Sequence, residues 1–208
     1  MQSADTEESE TLLEEEETEE IVPLFMQETR EELKGAAKGT LYHRVWENLD
    51  YEKIDTKEQI EEQLKNILTT EEKKSIWIPD FYRFAKNPLA VRMKEAAQRG
   101  QLYREQPFVI AMPANQMKKE YETEEEILVQ GIIDAYFEEE DGLVLVDYKT
   151  DKVQKGQEKE LIEKYKVQMR YYKKALEMIT DREVKEIYIY STGIGKAVLV
   201  HSAEFKTL

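Results

Sequence analysis

The sequence predicts an α/β fold in which a mixed β-sheet is flanked by helices and preceded by a helical region. Two observations carry that expectation. Helical periodicity dominates the first half, and the second half holds five short runs rich in β-branched and aromatic residues, with one long amphipathic segment between the third and fourth. At 208 residues the chain suits one globular unit with or without a tail, and it is long enough to bury a core.

Residues 1–20 are almost entirely Glu, Ser and Thr, with Leu12 and Leu13 as their main apolar side chains, so they cannot bury enough surface to offset chain entropy. Residues 1–27 are expected to be an acidic, disordered linker, and 28–208 the folded domain. From about Glu28 to Asp50 the pattern is helical, with Leu33, Ala37, Leu41, Val45 and Leu49 as the apolar stripe and His43 on another flank. A second helix spans 56–69, opened by Thr56 and Gln59 as a capping box. Pro79 opens a third, Asn87 and Pro88 interrupt it, and a further helix runs from about Leu89 to Gln98 and stops at Gly100. Strands are expected over 105–112, 127–137, 143–149, 186–191 and 197–205, with a helix from about Glu158 to Ile179. There is no internal repeat.

The net charge of −15 argues against a nucleic-acid partner until its distribution is considered. Residues 1–34 hold 13 acidic and two basic side chains, which leaves 32 acidic and 28 basic for the rest. The folded part is therefore close to balanced. The absence of cysteine excludes disulfides, thiolate zinc sites, cysteine-held iron–sulfur clusters and cysteine nucleophiles, so any metal must sit on oxygen or histidine. No window is long and apolar enough for a membrane span and the N-terminus does not resemble a signal peptide, so a cytoplasmic protein without a membrane partner is expected. There is no GxxxxGK[ST] phosphate loop, so the chain itself is not an ATP-driven motor.

The strands around Glu138 to Gly142 read as an antiparallel hairpin. If its turn is centred near Glu140 and Asp141, Asp134 and Asp147 face each other across the pair. Period-two alternation puts Lys149 on the face of Asp147, and Val144, Val146 and Tyr148 on the other. Paired carboxylates between apolar runs repel and ask for a compensating cation. Lys149 supplies one charge and a divalent ion supplies more; hard oxygen donors without cysteine point to Mg²⁺ or Mn²⁺. The bland alternative is a solvated Asp–Lys ion pair at a strand end, and spacing alone does not choose between the two.

The stretch GIIDAYFEEEDGLVLVDYKTDKV resembles the core of the PD-(D/E)xK nuclease superfamily, in its RecB-like branch. Four motifs recur in the order of that branch: His43 in KGTLYH, Asp134 in GIID, Asp147 with Lys149 in DYKT, and Gln168 with Tyr172 in QMRYY. The likeness runs from roughly Glu28 to the C-terminus and is strongest to the C-terminal nuclease domain of AddA-type helicase-nucleases. It implies a restriction-endonuclease-like core and a Mg²⁺-dependent (or Mn²⁺-dependent) exonuclease acting on single-stranded DNA in double-strand-break processing and recombinational repair. It also implies a helicase region in the same longer protein and an AddB-type partner subunit. By the resemblance His43, Asp134, Asp147 and the backbone carbonyl of Tyr148 hold the metal, Lys149 is the catalytic lysine, and Gln168 and Tyr172 brace the site or contact DNA. Glu105 resembles an acidic position near the site in some relatives.

Each assignment has an ordinary counterpart: a structural histidine, a packing stripe on a helix, one Glu among many. His201 follows an apolar run without a partner motif and is assigned nothing. A DNA-binding or docking domain that kept this fold and lost the chemistry is the alternative function, and the full set of expected catalytic side chains argues against it. Relatives that hold an iron–sulfur cluster are set aside because the chain has no cysteine.

Overall fold

A computed structural model describes residues 30–113 and 125–201, with side chains described from Gly35 onward. The expected acidic linker, the side chain of Leu33 and the end of the last expected strand lie outside the described residues. Helix α1 spans Arg30–Asn48 and leads through a 3-10 turn, Tyr51–Lys53, into α2 (Lys57–Ile67), α3 (Thr70–Lys73), α4 (Pro79–Ala85) and α5 (Pro88–Gln98). Strands β1 (Leu102–Pro113), β2 (Glu126–Glu139) and β3 (Gly142–Lys149) follow, then α6 (Glu158–Thr180), β4 (Val184–Ser191) and β5 (Lys196–Leu199).

Local chemistry sets the helix ends. Thr56 and Gln59 form the expected capping box on α2, and Thr69 with Glu72 form a second one on α3, a helix too short to announce itself by periodicity. Asn87 caps α5 through the Leu89 amide, while Pro79 and Pro88 occupy first-turn positions where no amide donor is needed. The chain leaves α5 through Gly100 at φ +70°.

The apolar stripe expected on α1 is corrected. Its buried face is Tyr42, Val45, Trp46 and Leu49, Leu41 is only partly buried, and Ala37 is exposed. A strict four-residue series drifts about 40° per step around a helix of roughly 100° per residue, so it cannot stay on one face. The aromatic residues hold the true stripe.

The five strands lie in sequence order, antiparallel except for the parallel pair β3–β4, whose connection contains α6. This mixed sheet separates two cores. Helices α1, α2, α4 and α5 pack with Ala135, Phe137, Val144, Val146 and Tyr148, whereas α6 packs on the opposite face with Leu143, Leu145, Ile187 and Ile189. His201 follows β5 and is exposed. Among the described residues no helix is long and apolar enough to cross a membrane.

Candidate active site

The β2–β3 hairpin has the expected register, with Glu139 opposite Gly142 and Ala135 opposite Val146. Beyond that last pair the strands part: β2 continues against β1 as far as Glu126, while β3 continues against β4 to Lys149. Asp134 and Asp147 are the first residues on the two branches of this fork. The Asp134 carboxylate bridges it, with Oδ2 accepting a hydrogen bond from the Tyr148 amide at 2.8 Å.

The pleat inverts at the same place. Ile133 packs in the α6-side core, yet Ala135 and Phe137, which unbroken alternation would put on the same face, pack against the N-terminal helices. Across from Asp134 on β1 is Glu105, flanked by the pairs Arg104–Ala135 and Gln106–Ile133 and held at φ +47°. A non-glycine residue in the left-handed region costs on the order of 1–2 kcal/mol, so the surrounding sheet must impose it.

These distortions bring together donors from three elements. One atom each from His43 on α1, Glu105 on β1 and Asp134 on β2 lie within 4.8 Å of one another. His43 Nδ1 is 3.4 Å from Asp134 Oδ1. Burial works against the protonated imidazole, but the hydrogen bond and charge of Asp134 outweigh it and raise the His43 pKa. Burial, with the charges of Asp134 and Glu47 behind it, pushes Glu105 up.

Asp147 is fully buried on β3 and stands outside that trio. Lys149 Nζ lies 2.8 Å from its Oδ2 but off the direction of a hydrogen bond, so both carboxylate oxygens are buried without one. Burial first, and the charge of Asp134 second, hold the Asp147 carboxyl well above the usual carboxylate range, against the pull of Lys149. The set suits a hard divalent cation: two carboxylates and an imidazole converge, no thiolate competes, and Asp147 presents two orphaned oxygens beside them.

The expected lysine is itself held. Its ammonium lies 4.4 Å from the centre of the Tyr165 ring, and Tyr165 donates its hydroxyl to Asp151 Oδ2 at 2.8 Å. Gln168 and Tyr172 touch each other, with Gln168 Nε2 donating to Tyr172 Oη at 2.7 Å. The Tyr172 ring packs edge-on against Phe108, whose own ring covers Gly131. Burial and the charges of Asp147, Asp134 and Glu105 push the Tyr172 phenol up to about 12, against the Gln168 hydrogen bond. Tyr172 therefore feels all three carboxylates.

Tyr148 is fixed at both ends. Its amide holds Asp134, its ring stacks on Trp46 at 4.3 Å, and its hydroxyl pairs with that of Tyr51 at 2.8 Å. Sequence reading did not single out Trp46, Tyr51, Asp151 or Tyr165 for the site. Tyr165 alone left a signal there, as a member of the α6 stripe that carries Gln168 and Tyr172.

Residues 16–205 match the model of the PD-(D/E)XK nuclease superfamily. The chain is 46% identical over 177 residues to an ATP-dependent helicase/nuclease polypeptide of Thermoanaerobacter sp., which covers 81% of this chain and 14% of that protein. It is 43% identical over 179 residues to the protein of the same name from Acetivibrio thermocellus, covering 84% of this chain and 14% of the other. With the corresponding Clostridium perfringens protein the identity is 40% over 188 residues, or 86% of this chain and 15% of that one. The chain thus spans about 15% of the length of the curated relatives it matches.

Proposed function

The chain belongs to the PD-(D/E)XK nuclease superfamily, and from that premise we propose that it is a metal-dependent exonuclease domain acting on single-stranded DNA. The observation that carries this reading is the buried Asp147 carboxylate, left without hydrogen bonds beside the convergent His43, Glu105 and Asp134. A structural ion pair would satisfy its oxygens; a cation site needs them free.

In the proposed site Asp134, Asp147, His43 and the Tyr148 carbonyl hold Mg²⁺ or Mn²⁺, with Glu105 as a further oxygen donor. The bound cation supplies Lewis acidity toward a phosphoryl oxygen and lowers the pKa of the attacking water. Lys149 orients that water and stabilises the charge that develops on phosphorus-bound oxygen. Water oxygen bonds to phosphorus as the phosphorus–oxygen bond to the leaving nucleotide breaks, and the leaving oxygen takes up a proton. Gln168 and Tyr172 brace the wall of the site and meet the DNA strand. The names of the relatives support a wider setting, in which this domain forms part of a longer helicase-nuclease, works with an AddB-type partner, and trims broken ends for recombinational repair in the cytoplasm.

A fluorescent single-stranded oligonucleotide tests the reading directly. Cleavage is expected with Mg²⁺ or Mn²⁺ and without ATP, to be lost in EDTA, and to be slow with Ca²⁺, which takes looser geometry and activates water less. Equal rates in EDTA and Mg²⁺ would overturn the metal assignment. DNA binding without cleavage under any metal would leave an inactive docking domain instead.

A further inference from the structure

Trp77 is 62% exposed, whereas the chain's other tryptophan, Trp46, is fully buried. The loop that presents it is built rather than loose. Buried Ile76 and half-buried Ile78 anchor it on either side, and the Trp77 carbonyl accepts the Asp80 amide at 2.9 Å. Its amide donates to Tyr42 Oη at 3.0 Å, and that phenol in turn donates to buried Asp80 at 2.5 Å.

Tyr42 connects this loop to the candidate active site. It precedes His43 on α1, and the Lys38 ammonium lies 5.3 Å over its ring. One residue further, a side chain at Gly39 would lie 3.3 Å from the Thr150 hydroxyl, which follows Lys149. A continuous strip therefore runs from Lys149 and Thr150 over the Lys38 turn of α1 to Tyr42 and Trp77. The nearby acidic groups are matched: Glu71 pairs with Lys74 at 2.8 Å, Glu72 with Arg44 at 2.7 Å, and Asp80 with Arg83. Lys38 and Lys73 have no carboxylate partner among the described residues.

We propose that Trp77 is a stacking platform for a nucleobase of a single strand whose phosphates pass Lys38 on the way to the Asp134–Asp147 fork. This rests on the nuclease reading and adds to it the path of the strand. An exposed indole flanked by unmatched ammonium groups, in a chain of net charge −15, fits a polyanion that carries planar faces better than it fits an acidic or neutral protein surface. Stacking of this kind tolerates any base, as a processive single-strand path requires.

The two tryptophans make the test selective. Titrating the full 208-residue chain with oligo-dT in EDTA should quench its tryptophan fluorescence, and the Trp77→Phe variant, with only buried Trp46 left, should show no quenching. Trp77→Ala should weaken binding of a labelled strand by roughly tenfold or more, the range of base–aromatic stacking. Lys38→Ala should lower the slope of log affinity against log salt by about 0.7, one phosphate contact on a single strand. Unchanged fluorescence at saturating oligo-dT, or parental affinity in Trp77→Ala, would overturn the proposal and leave Trp77 as a contact for another protein surface. Because EDTA removes the cleavage step, the two readings fail separately. Quenching without any metal-dependent cleavage would sink the nuclease reading alone, and cleavage with unchanged Trp77 fluorescence would sink this one alone.

Discussion

The two ends of strand β2 handle buried acid in opposite ways. At the hairpin end, Arg92 from α5 clamps Glu139 through Nε and Nη2 at 2.9 Å each and reaches Glu186 at 2.6 Å. Lys185 adds a contact to Glu139 at 2.5 Å and pairs with Asp141, and Arg182 pairs with Glu138. The Arg92 guanidinium, with Lys185 behind it, brings the Glu139 carboxyl down to about 2. At the fork end, the carboxyls of Glu105 and Asp147 are raised rather than lowered, and Asp147 has no hydrogen bond at all. The first end is electrostatically closed. The second has one lysine for its three carboxylates and is complete only with an added cation, which is the difference between a structural ion-pair network and a site that does chemistry.

The sharpest way to break this comparison is at the fork. Asp134→Ala removes a proposed ligand and the acceptor for the Tyr148 amide, so calorimetry should find weakened Mn²⁺ binding and the oligonucleotide assay should find no cleavage. Lys149→Ala removes only a cation, so Mn²⁺ should bind as well or better while cleavage drops by ~10²-fold or more. If Lys149→Ala cleaves at the parental rate, the fork is another ion-pair network and the contrast collapses.

A packing change at the fork comes next. An alanine methyl at Gly131 would sit 2.8 Å from Phe108 Cε1 and 2.9 Å from Cζ, so that ring must move, and with it the Tyr172 it supports. Gly131→Ala should cost about 1–3 kcal/mol in urea unfolding and slow cleavage as well. Parental stability would mean that the Phe108 ring has room to yield.

Neutralising one carboxylate at each end should give opposite signs. Glu139→Gln should destabilise the chain by roughly 1–2 kcal/mol, because it strips the half-buried Arg92 of its forked partner. Asp147→Asn should stabilise the metal-free chain at neutral pH. The sign follows from linkage: the folded state raises the Asp147 pKa, so it binds that proton more tightly than the unfolded chain. Metal-free stability therefore falls as pH rises from about 4 through the raised value, and His43, also raised, acts in the same direction above about 6.5. Melting curves in EDTA should show the Asn variant gaining on the parent between about pH 5 and pH 8, and Mn²⁺ should narrow the gap. A variant less stable than the parent at the upper end would mean that Lys149 already satisfies Asp147.

The smallest expected effect tests how the lone lysine is held. Tyr165→Phe keeps the ring face under Lys149 and should cleave nearly as the parent does, whereas Tyr165→Leu loses a contact worth ~0.5–1 kcal/mol and should cleave a few-fold more slowly. Equal rates in both variants would leave the salt bridge to Asp147 as the only restraint on Lys149 that matters.

Much of the fork is legible in the chain itself. Counting outward from the Glu140–Asp141 turn places Asp134 against Asp147, and alternation puts Lys149 beside Asp147 and Tyr148 on the opposite face, in agreement with the ladder and the two cores. Local signals of this kind survive because hairpin register and capping depend on residues close together in the chain. The α1 stripe is misread when aliphatic spacing is followed, because the buried face belongs to Tyr42 and Trp46.

The sequence by itself determined the α/β class, the hairpin and its facing carboxylates, because each follows from a period or a turn. Tertiary structure alone decided which donors converge. Glu105 meets His43 and Asp134 only because a left-handed residue on β1 falls opposite the point where β2 leaves β3. It also decided the complete burial of Asp147, which depends on α6 and β4 closing over β3. Convergence and desolvation are sums over distant segments, and no local pattern encodes them.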